Sequence, residues 1–114
     1  MSYTRALSIL VLAAFSGSAL ARVLTGRQVF DHTCHTCHAR GVAGAPQFGN
    51  RAAWRKHLAK GIKVLEEHAI HGYYGQSFMP PKGGDESLTD SEVRAAVRYM
   101  VAAVQSGPSL DPHQ

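Results

Sequence analysis

Two cysteines and a histidine form a cluster whose order and spacing fit one specific covalent chemistry. They lie in the run Cys34, His35, Thr36, Cys37, His38, which has the pattern C-x-x-C-H. Two thiols one helical turn apart can each add to a vinyl group of the same porphyrin, and the histidine directly after them can reach its iron. The sequence therefore predicts one covalently attached haem c. Cys34 and Cys37 would form the thioether bonds, and His38 would be the proximal axial ligand.

Three other uses of a C-x-x-C pair fit the sequence less well. A thioredoxin-like redox dithiol is expected beside a βαβ pattern, which this sequence does not show. A structural zinc site needs four ligands, and no second cysteine pair joins Cys34 and Cys37 to complete one. A disulfide between these two cysteines would close a very short loop and stabilise little. Haem attachment remains the favoured interpretation.

An electron carrier needs a second axial ligand from elsewhere in the chain, and Met79 is the favoured candidate. Met1 is expected to leave with a signal segment, and Met100 is explained by core packing on a helix. Pro80 biases Met79 toward an extended backbone, and Pro81 stiffens the loop further. A rigid loop can hold a weak thioether ligand at little entropic cost. Such ligation raises the redox potential relative to two histidines.

Two histidines are alternative sixth ligands. His68 and His71 fall on a predicted helix near the expected pocket, although a histidine on a helix surface is more often simply solvated. Met79 could also do no more than fill a gap in a turn. His35, within the motif, is predicted to point around the helix from His38 and to be exposed. The sequence favours His38 and Met79 as the ligand pair and leaves the histidines open.

The segments that must position these residues are mainly helical. Thr25 can cap a first helix that runs from Gly26 toward the cysteines, and two glycines and Pro46 make residues 41–46 a loop. Two further helices are predicted, one through Trp54 and Leu58 between Asn50 and Gly61, and one from Ile62 to His71 before Gly72. Proline and glycine then make residues 73–84 a second loop, and no strand-like alternation extends beyond a few residues.

The last predicted helix has the clearest signals. Thr89 and Glu92 form a T-x-x-E capping box at its start, and Gly107 and Pro108 end it. Its apolar residues recur with helical spacing at Val93, Ala96, Val97, Met100, Val101 and Val104. This stripe is expected to face a core. The whole pattern predicts an all-α fold with substantial loops.

Residues 1–21 have the three parts of a secretory signal peptide. Arg5 provides a positive start, an apolar run covers residues 6–15, and Ala19 to Ala21 have the A-x-A form. A retained membrane anchor is the alternative, but it would need about 20 apolar residues, and Gly17 and nearby serines interrupt the run. We therefore expect cleavage after Ala21 and export to the periplasm of a Gram-negative bacterium. The mature domain would be 22–114, with its core at about 25–105, a loose tail at 106–114 and no stable membrane insertion.

Positive charge is in modest excess, with 12 lysines and arginines against 8 acidic residues and a formal net charge of +4. Nucleic acid binding would call for a denser basic patch, so no nucleic acid partner is expected. Five basic residues are predicted mostly to share one side of the 50–71 region: Arg51, Arg55, Lys56, Lys60 and Lys63. A solvated helical face is the default interpretation, and a docking patch for redox partners with acidic surfaces is the sharper one.

With C-x-x-C-H early and Met79, Pro80, Pro81 later, the chain resembles the class I cytochromes c. The resemblance to the cytochrome c5 family is closer and covers nearly all of Gly26–Val101, in the segments 37–46, 48–49, 52–54, 79–84, 88–93 and 95–100. It implies the class I cytochrome c fold, with about four short helices and loops wrapped around one covalent haem. Some family members carry an extra cysteine pair near the glycine-rich loop. This chain has Asp85 after Gly84 instead, so that disulfide is not expected.

The resemblance also implies residue roles. It assigns the thioethers to Cys34 and Cys37, the proximal bond to His38 and the distal bond to Met79. Pro46 matches the family's proximal proline, whose segment supplies a backbone carbonyl to the ring N–H of His38.

Trp54 and the helix crossing receive roles in the same way. Trp54 is expected to pack on the haem edge and to donate to a propionate, or else simply to be buried in the core. Gly26 and Phe30 match positions where the first helix crosses the last, and they are expected to meet Ala96 and Tyr99.

The sequence thus favours a monohaem electron carrier that works between larger redox proteins and is not an enzyme. Two alternatives remain open. One is a haem subunit held permanently in a larger complex, and the other is an open-site haem protein that binds peroxide, carbon monoxide or nitric oxide.

Overall fold

The computed structural model describes residues 10–14, 17 and 22–105. Most of the expected signal peptide at 1–21, all but residues 10–14 and 17, falls outside the described residues, and the expected tail at 106–114 falls outside them entirely. Within the described residues, four helical segments and one short hairpin make up the fold. The predicted all-α class is confirmed, since the regular structure is almost entirely helical.

The first helical segment has three parts in direct succession: α1 (Gly26–Val29), a π-helical turn (Phe30–Cys34) and α2 (His35–His38). Thr25 and Gln28 form a capping box at its start. The Thr25 hydroxyl accepts from the Gln28 N–H at 3.2 Å, and the Gln28 side-chain oxygen accepts from the Thr25 N–H at 2.9 Å. In the π-helical turn the N–H of His35 donates to the carbonyl of Phe30. Such a turn inserts one extra residue and rotates the next part of the helix, so it sets the direction of the C-x-x-C-H residues.

Helices α3 (Arg51–Leu58) and α4 (Ile62–His71) come after the loop that contains Pro46. The side chain of Asn50 caps α3 by accepting from the N–H of Ala53 at 3.0 Å. Glycines with positive φ, Gly61 at 88° and Gly72 at 92°, flank α4 at its two ends. Both helices therefore begin and end where the sequence predicts.

The segment predicted as a loop at 73–84 is partly ordered as strand. Strand β1 (Tyr73–Tyr74) pairs antiparallel with β2 (Phe78–Met79), with Tyr73 opposite Met79 and Tyr74 opposite Phe78. A 3₁₀ turn covers Pro81–Gly84. The loop prediction was wrong for the hairpin because two residues per strand are too few to show an alternating pattern.

Helix α5 (Asp90–Gln105) crosses α1 and also packs on α4, and its predicted stripe forms the centre of the core. All six stripe residues are buried, together with Val29, Phe30, Trp54 and Ile70 from the other helices. The capping box is present, since Thr89 accepts from the N–H of Glu92 at 3.2 Å and Glu92 accepts from the N–H of Thr89 at 3.0 Å. The predicted crossing is also observed. Gly26 lies on Ala95 and Ala96, and the rings of Phe30 and Tyr99 are 5.6 Å apart.

Candidate functional site

A cavity of about 420 Å³ brings together the six residues that are predicted to bind the cofactor. Cys34, Cys37 and His38 reach it from the first helical segment, Pro46 and Trp54 from the next loop and α3, and Met79 from β2. The remaining wall is largely apolar and includes Leu65, Ala69, Val97 and Met100. This volume falls in the range of protein sites for small molecules and cofactors.

His38 is held in one orientation and one tautomer. It is only 8% exposed, and its Nδ1 lies 3.0 Å from the carbonyl oxygen of Pro46. A carbonyl can only accept, so Nδ1 carries the ring proton and Nε2 keeps a free lone pair. Burial lowers the pKa of His38, against the opposing effect of the Pro46 carbonyl, so the imidazole is neutral. A neutral, oriented imidazole is the form that binds a metal ion.

The two cysteines are free thiols in the cavity wall, and both are half-buried. Burial raises the pKa of the Cys34 thiol to about 11. A thiol with a raised pKa is a poor nucleophile in disulfide exchange, in contrast to the attacking cysteine of a redox dithiol, whose pKa is lowered. This environment disfavours the dithiol alternative.

The loop after α2 is tied back onto His38 by two further contacts. The N–H of Phe48 donates to the carbonyl of His38 at 2.7 Å, and the indole ring of Trp54 lies 6.0 Å from the His38 ring in a stacked orientation. The indole N–H of Trp54 donates to the carbonyl of Gln47 at 3.0 Å. The single N–H donor of the indole is thus directed at Gln47, and the contact of Trp54 with a haem propionate stays a prediction. Trp54 lines the cavity and braces the Pro46 loop.

Met79 is placed by the hairpin and by the close packing of the loop that comes after it. It is half-buried, packs against the core and pairs across the hairpin with Tyr73. A side chain at Gly72 would come within 3.1 Å of Pro81 and 3.2 Å of the Met79 carbonyl. Gly72 therefore lets the end of α4 lie directly against residues 79–81. These contacts hold Met79 in the cavity wall.

The two histidines considered as alternative ligands have different surroundings. His71 lies outside the cavity wall, where its ring nitrogen is 3.1 Å from the carboxylate of Glu67 and 71% of its side chain is exposed. His68 does line the cavity, and its ring packs 4.9 Å from that of Tyr73. Met79 and His68 therefore both lie in the cavity wall as candidate ligands, whereas His71 does not. His35 is exposed, as the sequence predicts.

Sequence reasoning missed His57, which lines the same cavity. Burial is the main reason that its pKa is lowered, and the charges of Lys56 and Lys60 add to the effect. A signal for it was present, since His57 lies three residues after Trp54 on α3 and so shares the face of that residue. Asp85 and Thr33 also reach the cavity wall, and the Thr33 hydroxyl donates to the Asp85 carboxylate at 3.4 Å.

These residues fit a haem c group. The wall of one largely apolar cavity contains two half-buried thiols and a buried histidine with a free Nε2. The other candidate ligands in this wall are the thioether of Met79 and the imidazole of His68. A zinc ion is a poorer fit because the described residues contain no cluster of three or more potential metal-binding His, Cys, Asp and Glu side chains.

Known proteins that resemble the chain settle the family. The family model described as cytochrome c oxidase, cbb3-type, subunit III matches residues 21–100. Cytochrome c-555 of Chlorobaculum thiosulfatiphilum is 47% identical over 77 residues, which are 67% of this chain and 90% of that protein. Cytochrome c5 of Ectopseudomonas mendocina is 38% identical over 69 residues, 59% of this chain and 76% of that protein. The chain belongs to the class I c-type cytochromes of the c5-like family.

A solved structure supports the same assignment for the cytochrome. The cytochrome c in an electron transfer complex with nitrite reductase superposes with a TM-score of 0.63 at 36% identity, over 73% of this chain and 99% of that one. The family resemblance and the class I fold predicted from the sequence are thereby confirmed. The protein's cofactor is one covalently bound haem c, and its activity is electron transfer.

Among the described residues, none forms a helix with the length and apolar character needed to cross a bilayer.

Proposed function

We propose that this cytochrome carries one electron at a time between redox proteins and that its single haem is held by Cys34, Cys37, His38 and Met79. The observation that carries the proposal is the single cavity that contains all four side chains, with His38 buried and oriented by the Pro46 carbonyl. Haem c supplies a one-electron iron couple when it is bound. The residues around it determine its potential and which molecules can reach it.

His38 is the proposed proximal ligand. Its Nδ1 hydrogen bond to Pro46 leaves Nε2 free and fixes the plane of the ring. The N–H of Phe48 bonds to the His38 backbone and Trp54 stacks near its ring, so the imidazole has little freedom to move. A fixed ligand keeps the geometry nearly the same in both oxidation states. This property favours rapid electron transfer.

Met79 is the proposed distal ligand, in preference to His68. The hairpin, Pro80 and the packing of Gly72 against residues 79–81 fix the Met79 backbone, so a weak thioether ligand is held at little entropic cost. His68 lies on α4 with its ring packed against Tyr73. Thioether ligation favours the reduced state and raises the potential relative to a second histidine.

With His38 and Met79 both bound to the haem iron, no position on the iron would remain for a substrate. We therefore propose that this chain, like its electron-transfer relatives, is a carrier and not an enzyme. The largely apolar cavity wall also excludes water from the buried part of the site, and a low dielectric keeps the reorganisation energy small.

The proposed partners are redox proteins with acidic docking surfaces. Arg51, Arg55, Lys56, Lys60 and Lys63 are all exposed on α3, on α4 and on the turn between them. No carboxylate occurs in the sequence from residue 32 through residue 65, so the charged side chains of this segment are all basic. A uniform charge steers an oppositely charged partner and raises its rate of encounter.

We further propose that the protein is exported and works in the periplasm as a 22–114 domain. The charged start, apolar run and A-x-A sequence of residues 1–21 support export. Mass spectrometry of the protein isolated from a periplasmic fraction tests this directly. The expected mass is that of the chain from Arg22 to Gln114 plus one haem, and a mass that retains residues 1–21 would contradict the cleavage.

Optical spectra of the purified protein with and without carbon monoxide test the carrier function. We expect covalent haem c in both oxidation states, a methionine-to-iron charge-transfer band in the oxidised protein and no carbon monoxide binding at neutral pH after reduction. Rapid and complete carbon monoxide binding would show an open iron and overturn the carrier assignment.

A variant tests the proximal ligand in the same preparation. His38→Ala should prevent stable haem incorporation, while His35→Ala, at the exposed position in the same motif, should give a normal yield. A normal yield of holoprotein from His38→Ala would contradict its role.

A haem subunit of a larger complex is the second candidate, favoured by the match to a family described as an oxidase subunit. Against it, the relatives that match at 47% and 38% identity are named cytochrome c-555 and cytochrome c5 and not oxidase subunits. Gel filtration of the native extract separates the two candidates. A free carrier elutes at the size of the single domain, and a subunit elutes with its complex.

A further inference from the structure

Two aromatic rings are exposed together on the hairpin. Tyr74 is 75% exposed and Phe78 is 56% exposed, and their ring centroids are 5.2 Å apart across the two strands. No other phenylalanine, tyrosine or tryptophan side chain among the described residues is exposed. Because both rings are largely in water, they add little buried apolar area to the core of the protein. An exposed apolar patch of this kind commonly marks an interaction site.

The two rings lie at the mouth of the haem cavity. Phe78 lines the cavity and is also more than half exposed, so it stands at the boundary between the cavity and solvent. Ser77, between the strands, packs against Gly44, where an added side chain would come within 2.9 Å of it. This contact brings the Val42–Gly44 turn beside the hairpin, and Val42 is 48% exposed. Tyr74 and Phe78 together form the hairpin patch.

The charge next to the hairpin patch is positive. The ammonium of Lys60 lies 4.7 Å above the ring of Tyr73, which precedes Tyr74 in β1. Tyr73 lines the cavity, so Lys60 lies beside it, and Lys56 directly precedes the lining residue His57 on α3. The nearest part of the sequence, from residue 32 through residue 65, contains no carboxylate. The cavity mouth therefore combines exposed apolar rings with cations on one flank.

The geometry points to the hairpin patch as the apolar centre of a docking surface for redox proteins whose own contact surface has an acidic rim. This inference rests on the proposed function and adds the residues that make contact. Buried centres of protein interfaces are rich in aromatic residues, and a few such residues supply most of the binding energy, while charges at the rim set the rate of encounter. A small patch beside the cavity brings a partner close to the haem and still releases it quickly.

A second copy of this chain is a less suitable occupant. Each copy carries a formal net charge of +4, so two copies repel one another as they approach. A partner with carboxylates in the matching positions has no such penalty. The charge pattern therefore selects an acidic partner.

Tyr74 is the residue to change, because its side chain is exposed and does not line the cavity. The probe is a flavodoxin in its hydroquinone state, a small acidic protein that gives one electron to the oxidised cytochrome and becomes a semiquinone. Free reduced FMN is the matched control, since it is the same donor without a protein surface. Tyr74→Phe is the control variant, because it keeps the exposed ring.

We expect Tyr74→Ser to lower the second-order rate constant with flavodoxin by about tenfold at low salt, the size of effect seen when an interface anchor is removed. Tyr74→Phe should keep the wild-type rate, and all three proteins should react equally with free FMN. A wild-type rate for Tyr74→Ser with flavodoxin would overturn the docking proposal and leave the carrier function intact.

Two further outcomes would also count against the proposal. If neither flavodoxin nor FMN reduces the wild-type haem, the carrier function itself fails. If Tyr74→Ser converts a dimer into a monomer in gel filtration, the hairpin patch joins two copies of this chain, and the docking proposal is overturned.

Discussion

Gly26 of α1 lies directly against the backbone of Ala95 in α5. A side chain at Gly26 would come within 2.6 Å of the Ala95 carbonyl carbon and 3.2 Å of the Ala96 nitrogen, and closer still to the Ala95 oxygen. Only a residue without a side chain allows the two helices to approach this closely. The contact fixes the crossing that holds the haem-binding segment against the last helix.

Gly26→Ala should therefore destabilise the protein by about 2 kcal/mol or more, even though alanine is the better helix former. Guanidinium unfolding followed by circular dichroism measures the change in the free energy of unfolding. Because the obstructing atoms belong to the backbone, adding Ala95→Gly should not restore stability. Full rescue by that second change would mean that a side chain causes the clash.

Arg98→Ala should destabilise the protein because it leaves a buried carboxylate short of its partner. Glu66 is 1% exposed, and its Oε1 accepts from Arg98 Nε at 2.8 Å, while Arg94 Nε lies 3.8 Å from its other oxygen. Loss of the closer partner should cost about 2 kcal/mol in the free energy of unfolding.

Arg27→Ala is the control for this comparison. Arg27 and Asp31 form an ion pair at 3.7 Å in which both side chains are exposed, so its removal should change stability by less than about 1 kcal/mol. If the two substitutions change the free energy of unfolding equally, the burial of Glu66 does not strengthen its ion pair.

Glu92 should make stability depend on acid pH. Backbone N–H groups of Thr89 and Leu24 bind its carboxylate, and these hydrogen bonds lower its pKa below the ordinary range of glutamate. The folded state thus binds this proton less readily than the unfolded state. The stabilisation is present above the unfolded pKa and is lost as pH falls through the folded pKa.

Glu92→Gln should accordingly flatten the decline of stability on the acid side, as thermal melts between neutral and acid pH would show. Glu86, an exposed glutamate on the loop before α5, is the control position. If Glu92→Gln melts with the same pH profile as the wild type, the capping carboxylate does not titrate as described.

Met79→Ala should keep the haem attached, lower the midpoint potential and open the iron to carbon monoxide. The physical reason is the loss of the thioether that favours the reduced state. Redox titration and optical spectra of the variant provide the measurements. His68→Ala is the matched control in the same cavity wall and should retain the charge-transfer band. The opposite pattern, with the band lost only in His68→Ala, would exchange the two assignments.

Charge reversal should slow the reaction with acidic partners. Lys56→Glu with Lys60→Glu changes the net charge by four units on the flank of the cavity mouth. We expect its rate with flavodoxin to fall severalfold at low salt and to approach the wild-type rate as ionic strength rises, because salt screens exposed charges. A rate that is equally low at high salt would point to structural damage.

Much of the local structure was predicted from the sequence because the signals are local. Thr25, Asn50 and Thr89 cap the helices that they precede, since a cap depends on residues only two or three positions away. The hairpin of residues 73–79 was not predicted, because its pairing depends on contacts across the turn and against α4 and the cavity.

The C-x-x-C-H order by itself determined the cofactor and the thiols and histidine expected to hold it, because that chemistry needs only neighbouring residues. Tertiary structure decided which distant side chains share the cavity. It brought Met79 and His68 to the wall, left His71 outside, added His57 and gave the indole N–H of Trp54 to Gln47. The packing of α3, α4 and the hairpin sets these distances, and no spacing along the chain encodes them.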